Sequence, residues 1–496
     1  MGLFVLVQGL LLAYSAHRFV TLWRGTRGRT RATHAAPPPA VWPSVTIQLP
    51  LYNERLVARR LIDSVAALDY PPHLLQIQVL DDSTDETSVL AAVAAAHHRA
   101  RGVRIQVLHR DSRTGFKAGA LAAGLKRARG EFIVIFDADF VPGPDFLRQV
   151  LPHFSDPNVG MVQARWTHLN RDRSLLTAAQ AVMLDSHFLL EHEARMGSGL
   201  FFNFNGTAGA WRRSCVEDAG GWAHDTLTED LDLSYRAQLS GWRFVSLQRV
   251  IAPAELPADM HALKSQQRRW AQGSIQTARK LLPIVLRSAL PLRVKLEAVL
   301  HLTGNTAYPL LLLSGLLLLP VITAVSKTAP GLAIALDAGV IFIGIVPVSL
   351  FLVSGQILAG SHGWRILRDV LATLVIGAGL SLNNTGAVLK GLRKGIGDWE
   401  RTPKTGDGGP RADFKPYIAS RSWSGRIEVV LALCFAWLAA LAWQEGHARS
   451  VPFLLLLFLG LGYVGVRSLG ESVARLRLRN AALPLRLCGP VSRTHP

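Results

Sequence analysis

The first half of the chain alternates short apolar runs with longer amphipathic stretches. Four of the runs have the length and composition of β-strands, at residues 45–49, 75–80, 103–108 and 132–136. Three stretches between them have helical spacing, at residues 54–68, 84–99 and 117–129. This βαβαβαβ order predicts an α/β domain in which helices cover both faces of a mostly parallel sheet. Ligands of such sheets bind beyond the carboxyl ends of the strands.

Longer apolar runs lie at the N-terminus and in the second half of the chain. A helix of about 20 apolar residues matches the hydrocarbon thickness of a bilayer. Five runs are predicted to cross a membrane, at residues 1–23 and at about 299–325, 332–357, 427–444 and 451–468. A sixth run, at about 366–389, contains Asp369 and Asn384, and such groups are costly against lipid. We therefore predict that this run is a helix lying at the membrane interface.

Basic residues support a membrane protein rather than a nucleic-acid-binding one. The formal net charge is +19, but many Lys and Arg residues cluster beside the apolar runs, as at 24–31. We expect membrane lipid as a partner and no nucleic acid. The positive-inside tendency places the N-terminus outside and the C-terminus inside, in an inner, plasma or Golgi-type membrane. The predicted segments are a transmembrane helix at 1–23, a basic Pro-rich linker at 24–43, a cytosolic domain at 44–285, and interface helices with a transmembrane bundle at 286–496.

Acidic residues follow two of the predicted strands. Asp137 and Asp139 come directly after the run at 132–136, and two carboxylates spaced in this way can share one Mg²⁺ or Mn²⁺ ion with substrate phosphates. Asp82 follows the run at 75–80, although the segment after it also reads as a helix N-cap at Ser83 or Thr84. Lys117 opens a helix after a glycine, which suits a phosphate.

A third acidic segment, Thr228-Glu229-Asp230, has two interpretations. As structure, Thr228 caps a helix and the acids favour its first turn. As chemistry, one carboxylate acts as a general base on an acceptor hydroxyl. Asp230 is the first candidate for this base, and Glu229 is the second.

Gln266, Arg269 and Trp270 share one face of a predicted helix. Arginine binds a phosphate with two parallel hydrogen bonds, and tryptophan offers a flat apolar surface on which a sugar ring can stack. The alternative is an amphipathic helix beside a membrane, where Arg and Trp are also common.

Together these residues resemble the processive family 2 glycosyltransferases, inverting GT-A enzymes that include cellulose synthase and the cellulose synthase-like mannan synthases. The resemblance runs from about residue 44 to 280, and the mannan-synthase-like branch is the most similar. It is carried, in order, by the segments 50–54, 79–85, 115–121, 136–140, 163–166, 204–209, 228–233 and 266–270. It implies a Rossmann-like GT-A domain joined to an α-helical transmembrane bundle.

The resemblance also implies roles for individual residues. Asp230, or else Glu229, would be the catalytic base, and Asp137 and Asp139 would hold the metal ion. The nucleotide sugar would contact Tyr52, Glu54, Asp82, Lys117, Asp137, Gln266, Arg269 and Trp270. The acceptor would contact Phe204, Asn205, Gly206, Thr207 and Trp270.

One stretch departs from the family. Cellulose synthases carry a gating loop that reads Phe-x-Val-Thr-x-Lys, and the nearest stretch here runs from Trp399 to Lys404. Thr402 and Lys404 are kept, whereas Trp399 and Arg401 replace Phe and Val. These two replacements fall in the loop that the resemblance links to gating and processivity.

These observations predict a membrane-embedded inverting β-glycosyltransferase. Its donor would be GDP-mannose or UDP-glucose, and its product a β-1,4-mannan, a glucomannan or a β-glucan. One alternative is a single-transfer enzyme that glycosylates a lipid such as ceramide or diacylglycerol. A second is a membrane scaffold without activity.

Overall fold

The computed structural model describes residues 1–28, 36–393, 395, 397, 402–406 and 424–482. Residues 29–35 of the predicted linker lie outside this set, as do Trp399, Glu400 and Arg401 of the stretch compared with a gating loop. Thr402 and Lys404 of that stretch are described.

A seven-stranded sheet forms the centre of the first half of the chain. Its strands are β1 (Val45–Leu51), β2 (Leu75–Asp81), β3 (Ile105–His109), β4 (Phe132–Ile135), β5 (Val159–His168), β6 (Gly209–Arg212) and β7 (Arg243–Ala254). They are ordered β3-β2-β1-β4-β6-β5-β7, and only β6 runs antiparallel to its neighbours. The mostly parallel sheet is thus confirmed. Ile47, Val79 and Val134 lie fully buried in its core, as expected for strands covered on both faces.

Helices cover the sheet and continue into the second half of the chain. The first ten are α1 (Gly2–Gly28), α2 (Ala58–Ala66), α3 (Thr87–Ala100), α4 (Phe116–Leu125), α5 (Phe146–Val150), α6 (Leu175–Ser186), α7 (Glu193–Gly197), α8 (Arg213–Asp218), α9 (Glu229–Leu239) and α10 (Met260–Arg287). The remaining eight are α11 (Leu292–Thr303), α12 (Ala307–Ser326), α13 (Pro330–Gly344), α14 (Val346–Leu358), α15 (Gly363–Gly379), α16 (Ser381–Gly391), α17 (Ser424–Gln444) and α18 (Val451–Ala482).

The register of the sheet brings the predicted acidic residues to one edge. Leu51 at the end of β1 pairs with Asp81 at the end of β2, so Asp82 begins the loop beside β1. On the other side of β1, Gln48 pairs with Ile135, and Asp137 follows two residues later. Because these strands are parallel, the residues after each of them emerge at the same edge.

Within the described residues, five helical segments are long and apolar enough to cross a membrane. They are Gly2–Arg27, Leu292–Ser326, Pro330–Leu358, Ser424–Gln444 and Val451–Ala474. Each one contains most or all of a span predicted from the sequence.

The sixth apolar run forms α15 and α16, which meet at an angle of 48°. Its polar residues face protein: Asp369 is fully buried and lies 3.1 Å from the guanidinium of Arg171, and Asn383 donates a hydrogen bond to the backbone oxygen of Lys264. These contacts satisfy groups that would be costly against lipid. The expectation that the run lies at the interface stays a prediction.

Candidate active site

One cavity opens at the carboxyl edge of β1, β2 and β4, with about 1260 Å³ of empty space that is partly open to solvent. Thirteen of the fifteen predicted site residues line it, Asp139, Gly206 and eleven others, although they come from distant parts of the sequence. The eleven others are Tyr52, Glu54, Asp82, Lys117, Asp137, Asn205, Glu229, Asp230, Gln266, Arg269 and Trp270.

Asp82 is held by an arginine that the sequence did not identify. The guanidinium of Arg110 donates to both carboxylate oxygens of Asp82, at 2.7 and 2.5 Å. It also donates to the backbone oxygens of Thr114 and Phe116. This planar, two-point contact fixes the Asp82 carboxylate against the loop that leads into α4.

Tyr52 and Arg113 form a stacked pair at the wall of the cavity. The guanidinium carbon of Arg113 lies 3.3 Å from the ring centroid of Tyr52, and both residues line the cavity. Arginine stacks in this way on aromatic faces. Like Arg110, Arg113 occupies a loop without a periodic pattern, so no sequence signal pointed to it.

Asp137 and Asp139 line the cavity two residues apart, and each has a lysine partner. Lys117 lies 2.6 Å from Asp137, and Lys404 lies 2.9 Å from Asp139. Burial raises the pKa of Asp139 despite the opposing charge of Lys404. Lys404 comes from the segment whose Thr and Lys matched the gating-loop pattern, so a sequence signal for it existed.

The donor chemistry at these two aspartates fits a divalent cation. Carboxylate oxygens are ligands that Mg²⁺ and Mn²⁺ prefer. Within the described ranges, no three or more His, Cys, Asp or Glu side chains are grouped so as to hold a metal ion. A cation bound by Asp137 and Asp139 would therefore take its other ligands from water or substrate phosphates.

Glu229 and Asp230 are brought to the cavity by the first turn of α9. Burial and the neighbouring charge of Glu229 raise the pKa of Asp230 to about 7, against the influence of Lys117. Burial likewise raises the pKa of Glu229. A carboxyl group with a pKa near neutrality is suited to proton transfer.

Gly206 allows its loop to approach Asp230 closely. Its φ of +83° lies in the left-handed region, and a Cβ atom there would be 2.9 Å from Oδ2 of Asp230. Its backbone oxygen accepts a hydrogen bond of 2.9 Å from Lys117. Only glycine combines this conformation with this approach.

Gln266, Arg269 and Trp270 reach the cavity from α10, as their spacing predicts. The helix begins after Asp259, whose carboxylate accepts from the backbone N–H of Ala262. Sixteen of its residues are buried, so more than half of α10 packs against protein.

The structure places two of the predicted acceptor residues behind the cavity wall. Phe204 is fully buried, with its ring against Trp211, and Thr207 is also fully buried. Neither lines the cavity. Thr207 instead accepts a hydrogen bond of 2.8 Å from the backbone N–H of Asp137, so it supports the loop after β4 from behind.

The alternative interpretation of Ser83 or Thr84 as a helix N-cap is wrong. The helix begins only at Thr87, and no side chain caps it at Glu86. Ser83 accepts from the backbone N–H of Asn53, which ties the loop after β2 to the loop after β1. Thr228 does precede α9, but its side chain makes no capping hydrogen bond.

Comparison with known proteins places this cavity in context. Residues 43–273 match the model of the family described as glycosyltransferase like family 2. Glucomannan 4-beta-mannosyltransferase 1 of Oryza sativa subsp. japonica is 39% identical over 256 residues, which cover 50% of this chain and 49% of that protein. Glucomannan 4-beta-mannosyltransferase 2 of Arabidopsis thaliana is 43% identical over 252 residues, which cover 50% and 47%. The chain thus matches about half the length of each curated relative.

A solved structure supports the fold. A mannosyltransferase from Pyrobaculum calidifontis, determined in complex with GDP-mannose and Mn²⁺, aligns with a TM-score of 0.50 and 24% identity. The alignment covers 78% of this chain and 99% of that one. With the sheet described above, it confirms the expected Rossmann-like GT-A architecture.

Proposed function

Because the chain carries a family 2 glycosyltransferase domain at residues 43–273, we propose that it is a membrane-embedded inverting β-glycosyltransferase. It transfers a sugar from GDP-mannose or UDP-glucose to a growing polysaccharide, with β-1,4-mannan or glucomannan as the first choice of product. One observation carries this proposal: Asp82, Asp137, Asp139, Asp230 and Arg269 line a single cavity although 187 positions separate the first from the last.

The donor binds with its nucleotide toward β1 and β2 and its diphosphate toward α4 and α10. Tyr52, Glu54 and Asp82 contact the nucleoside end, and Arg110 keeps the Asp82 carboxylate in one orientation. Lys117 and Arg269 bring positive charge to the diphosphate. Gln266 contributes an amide beside them. A divalent cation held by Asp137 and Asp139, when bound, would neutralise charge that develops on the leaving diphosphate.

Asp230 takes the proton of the attacking acceptor hydroxyl. The hydroxyl oxygen forms a bond to the anomeric carbon while the bond from that carbon to the diphosphate oxygen breaks, and the electron pair leaves with the nucleoside diphosphate. One base on the side opposite the leaving group gives inversion. The pKa of about 7 leaves a substantial fraction of Asp230 ionised at neutral pH.

The acceptor sugar lies between the loop at Asn205 and Gly206 and the indole of Trp270, all of which line the cavity. The flat indole covers one face of the sugar ring. A tryptophan side chain offers a large apolar surface for such a contact. Phe204 and Thr207 support this loop from the buried side.

The proposal includes a membrane arrangement for these helices. The five apolar helices cross the bilayer, the bent pair α15–α16 lies at the interface, and the domain faces the cytosol. This arrangement places the cavity beside the membrane part, since α10 contacts α16 and α18.

The proposal is tested with membranes that contain the chain, incubated with radiolabelled GDP-mannose or UDP-glucose. The products are sized and digested with endo-β-1,4-mannanase or cellulase, and membranes with Asp230→Asn serve as the control. A long polymer cut by one of these enzymes is the expected result. A product of one sugar on a lipid would favour the lipid-glycosylating alternative. The scaffold alternative would hold if no nucleotide sugar were consumed.

A further inference from the structure

Helix α10 has two polar faces with different partners. Gln266, Arg269 and Trp270 line the cavity. Lys264 lies on another side of the helix, since two residues advance an α-helix by about 200°. Its side chain is 6% exposed and points into the membrane part of the molecule.

Lys264 meets an acid on a predicted membrane span. Its ammonium lies 2.7 and 2.9 Å from the two carboxylate oxygens of Glu428 on α17, and the Glu428 side chain is fully buried. Ser424 on the same helix and Ser468 on α18 accept from the same ammonium at 2.8 and 3.3 Å. The three donor hydrogens of Lys264 are therefore directed to two spans at once.

Two further contacts hold the same end of α10. The carboxylate of Glu471 on α18 accepts from the backbone N–H of Met260 at 3.0 Å and from that of His261 at 3.3 Å. Asn383 on α16 donates a hydrogen bond of 3.0 Å to the backbone oxygen of Lys264. The start of the helix that carries Arg269 and Trp270 is thus attached to three helices of the membrane part.

A buried ion pair of this kind is poorly explained by stability alone. The free-energy cost of removing two charges from water is about as large as the stabilisation from their attraction. An apolar pair in the same place would therefore stabilise the fold as well. An ionisable group within a membrane span is correspondingly a candidate for a functional role. The pair joins a predicted membrane span to the helix that lines the cavity, and this connection indicates a role in positioning that helix.

We propose that the Lys264–Glu428 pair is a positioning device that sets the rotation and height of α10, and through them the places of Arg269 and Trp270 in the cavity. This inference rests on the proposed function. Neither residue touches substrate. Since a misplacement of about 1 Å at reacting groups can cost about a hundredfold in rate, a small movement of α17 or α18 against the domain would change the rate of transfer.

The test uses full-length protein in membranes and four variants. Lys264→Met removes the ammonium and leaves a buried carboxylate. Glu428→Asp keeps both charges but shortens the acidic side chain by one methylene, which draws the carboxylate away from Lys264. The exchange Lys264→Glu with Glu428→Lys restores opposite charges. Arg171→Met is the matched control, because Arg171 also joins the domain to a buried acid of the membrane part, Asp369 at 3.1 Å, but lies outside α10.

Thermal unfolding, kcat and KM are measured for each variant. The proposal expects Lys264→Met and Glu428→Asp to lower kcat by about tenfold or more, the exchange to recover part of that loss, and Arg171→Met to keep kcat close to wild type. Glu428→Asp retains the ion pair, so it remains informative if Lys264→Met fails to fold.

The proposal is overturned if Glu428→Asp keeps wild-type kcat. It is also overturned if kcat falls only in proportion to the loss of thermal stability and Arg171→Met shows the same proportion. These results differ from failure of the proposed function, in which wild-type protein itself transfers no sugar from either donor.

Discussion

The ammonium of Lys117 lies 2.6 Å from Oδ1 of Asp137. It also lies 3.9 Å from the Glu229 carboxylate and donates to the backbone oxygen of Gly206. Burial alone would lower the pKa of Lys117, but Asp137 and Glu229 outweigh it, so the pKa is raised and the side chain stays charged. One cation therefore connects the aspartate proposed for the metal ion to the acids proposed for proton transfer.

Replacing Lys117 with methionine tests this connection. Without the ammonium, the charges of Asp137 and Glu229 are no longer compensated, and the donor diphosphate loses a cation. We expect the donor KM to rise by about tenfold or more, equivalent to about 1.4 kcal/mol. Lys126→Met on the same segment is the control, because Lys126 is exposed. Equal kinetics in the two variants would contradict a role for Lys117 in donor binding.

Asp230→Asn is expected to abolish transfer while donor binding survives. The amide keeps the size of the side chain but cannot accept a proton from the acceptor. Binding of the nucleoside diphosphate, measured by calorimetry, checks that the cavity is intact. Asp225→Asn is the control, since Asp225 lies close by in an exposed ion pair with Lys280. Full activity of Asp230→Asn would refute the assignment of the base.

The pH profile of wild-type protein follows from the same residue. The pKa of Asp230 is raised to about 7, and only the ionised form accepts a proton. We therefore expect kcat/KM, which reports the free enzyme, to rise as pH increases through about 7 and then to level off. If kcat/KM instead reaches its plateau at or below a pH of about 5, a carboxyl group with an ordinary pKa limits the reaction.

Folding stability should depend on pH in the opposite direction. Because the pKa of folded Asp230 is raised above its unfolded value, ionisation opposes folding, and this cost grows as pH rises from about 4 to about 7. Asp230→Asn should thus be more stable than wild type at about pH 8 and about equal to it at pH 4. Thermal unfolding at the two values measures the difference.

Gly206→Ala is expected to impair transfer more than folding. The new Cβ would lie 2.9 Å from Oδ2 of Asp230 and 3.4 Å from Nζ of Lys117, so the base and its neighbouring cation must move. Gly221→Ala is a matched control, because Gly221 has a φ of +73° and open space around the new Cβ. Both variants should lose about 1–3 kcal/mol of stability from backbone strain, and only Gly206→Ala should lose most of its kcat. Similar kcat values would place Asp230 outside the reaction.

The sequence predicted the sheet and the meeting of its loops because both depend on strong, local patterns. Strands β1, β2 and β4 are buried at nearly every position, and β4 is apolar throughout, as expected for strands covered on both faces. Once those strands are parallel, Asp82 and Asp137 must emerge at one edge. Helical periodicity was enough to place Arg269 and Trp270 on the cavity side of α10.

Contacts made by loops and by irregular segments escaped prediction. Arg110 reaches Asp82 from a loop after β3, and Lys404 reaches Asp139 from a segment 265 positions further along the chain. Neither contact has a period that the sequence displays. The burial of Phe204 and Thr207 escaped prediction for a related reason. In a non-repetitive segment, neighbouring side chains face the cavity or the core without a regular period, and composition does not tell which.

We propose that one nucleotide sugar occupies the cavity between β1, β4, α9 and α10. An experimental structure of the full chain with GDP-mannose or UDP-glucose and Mn²⁺ tests this occupancy. We expect the nucleoside beside Tyr52 and Asp82, the diphosphate between Asp137 and Arg269, and the anomeric carbon facing Asp230. A donor bound elsewhere, or a bound sugar that none of these side chains touches, would contradict it.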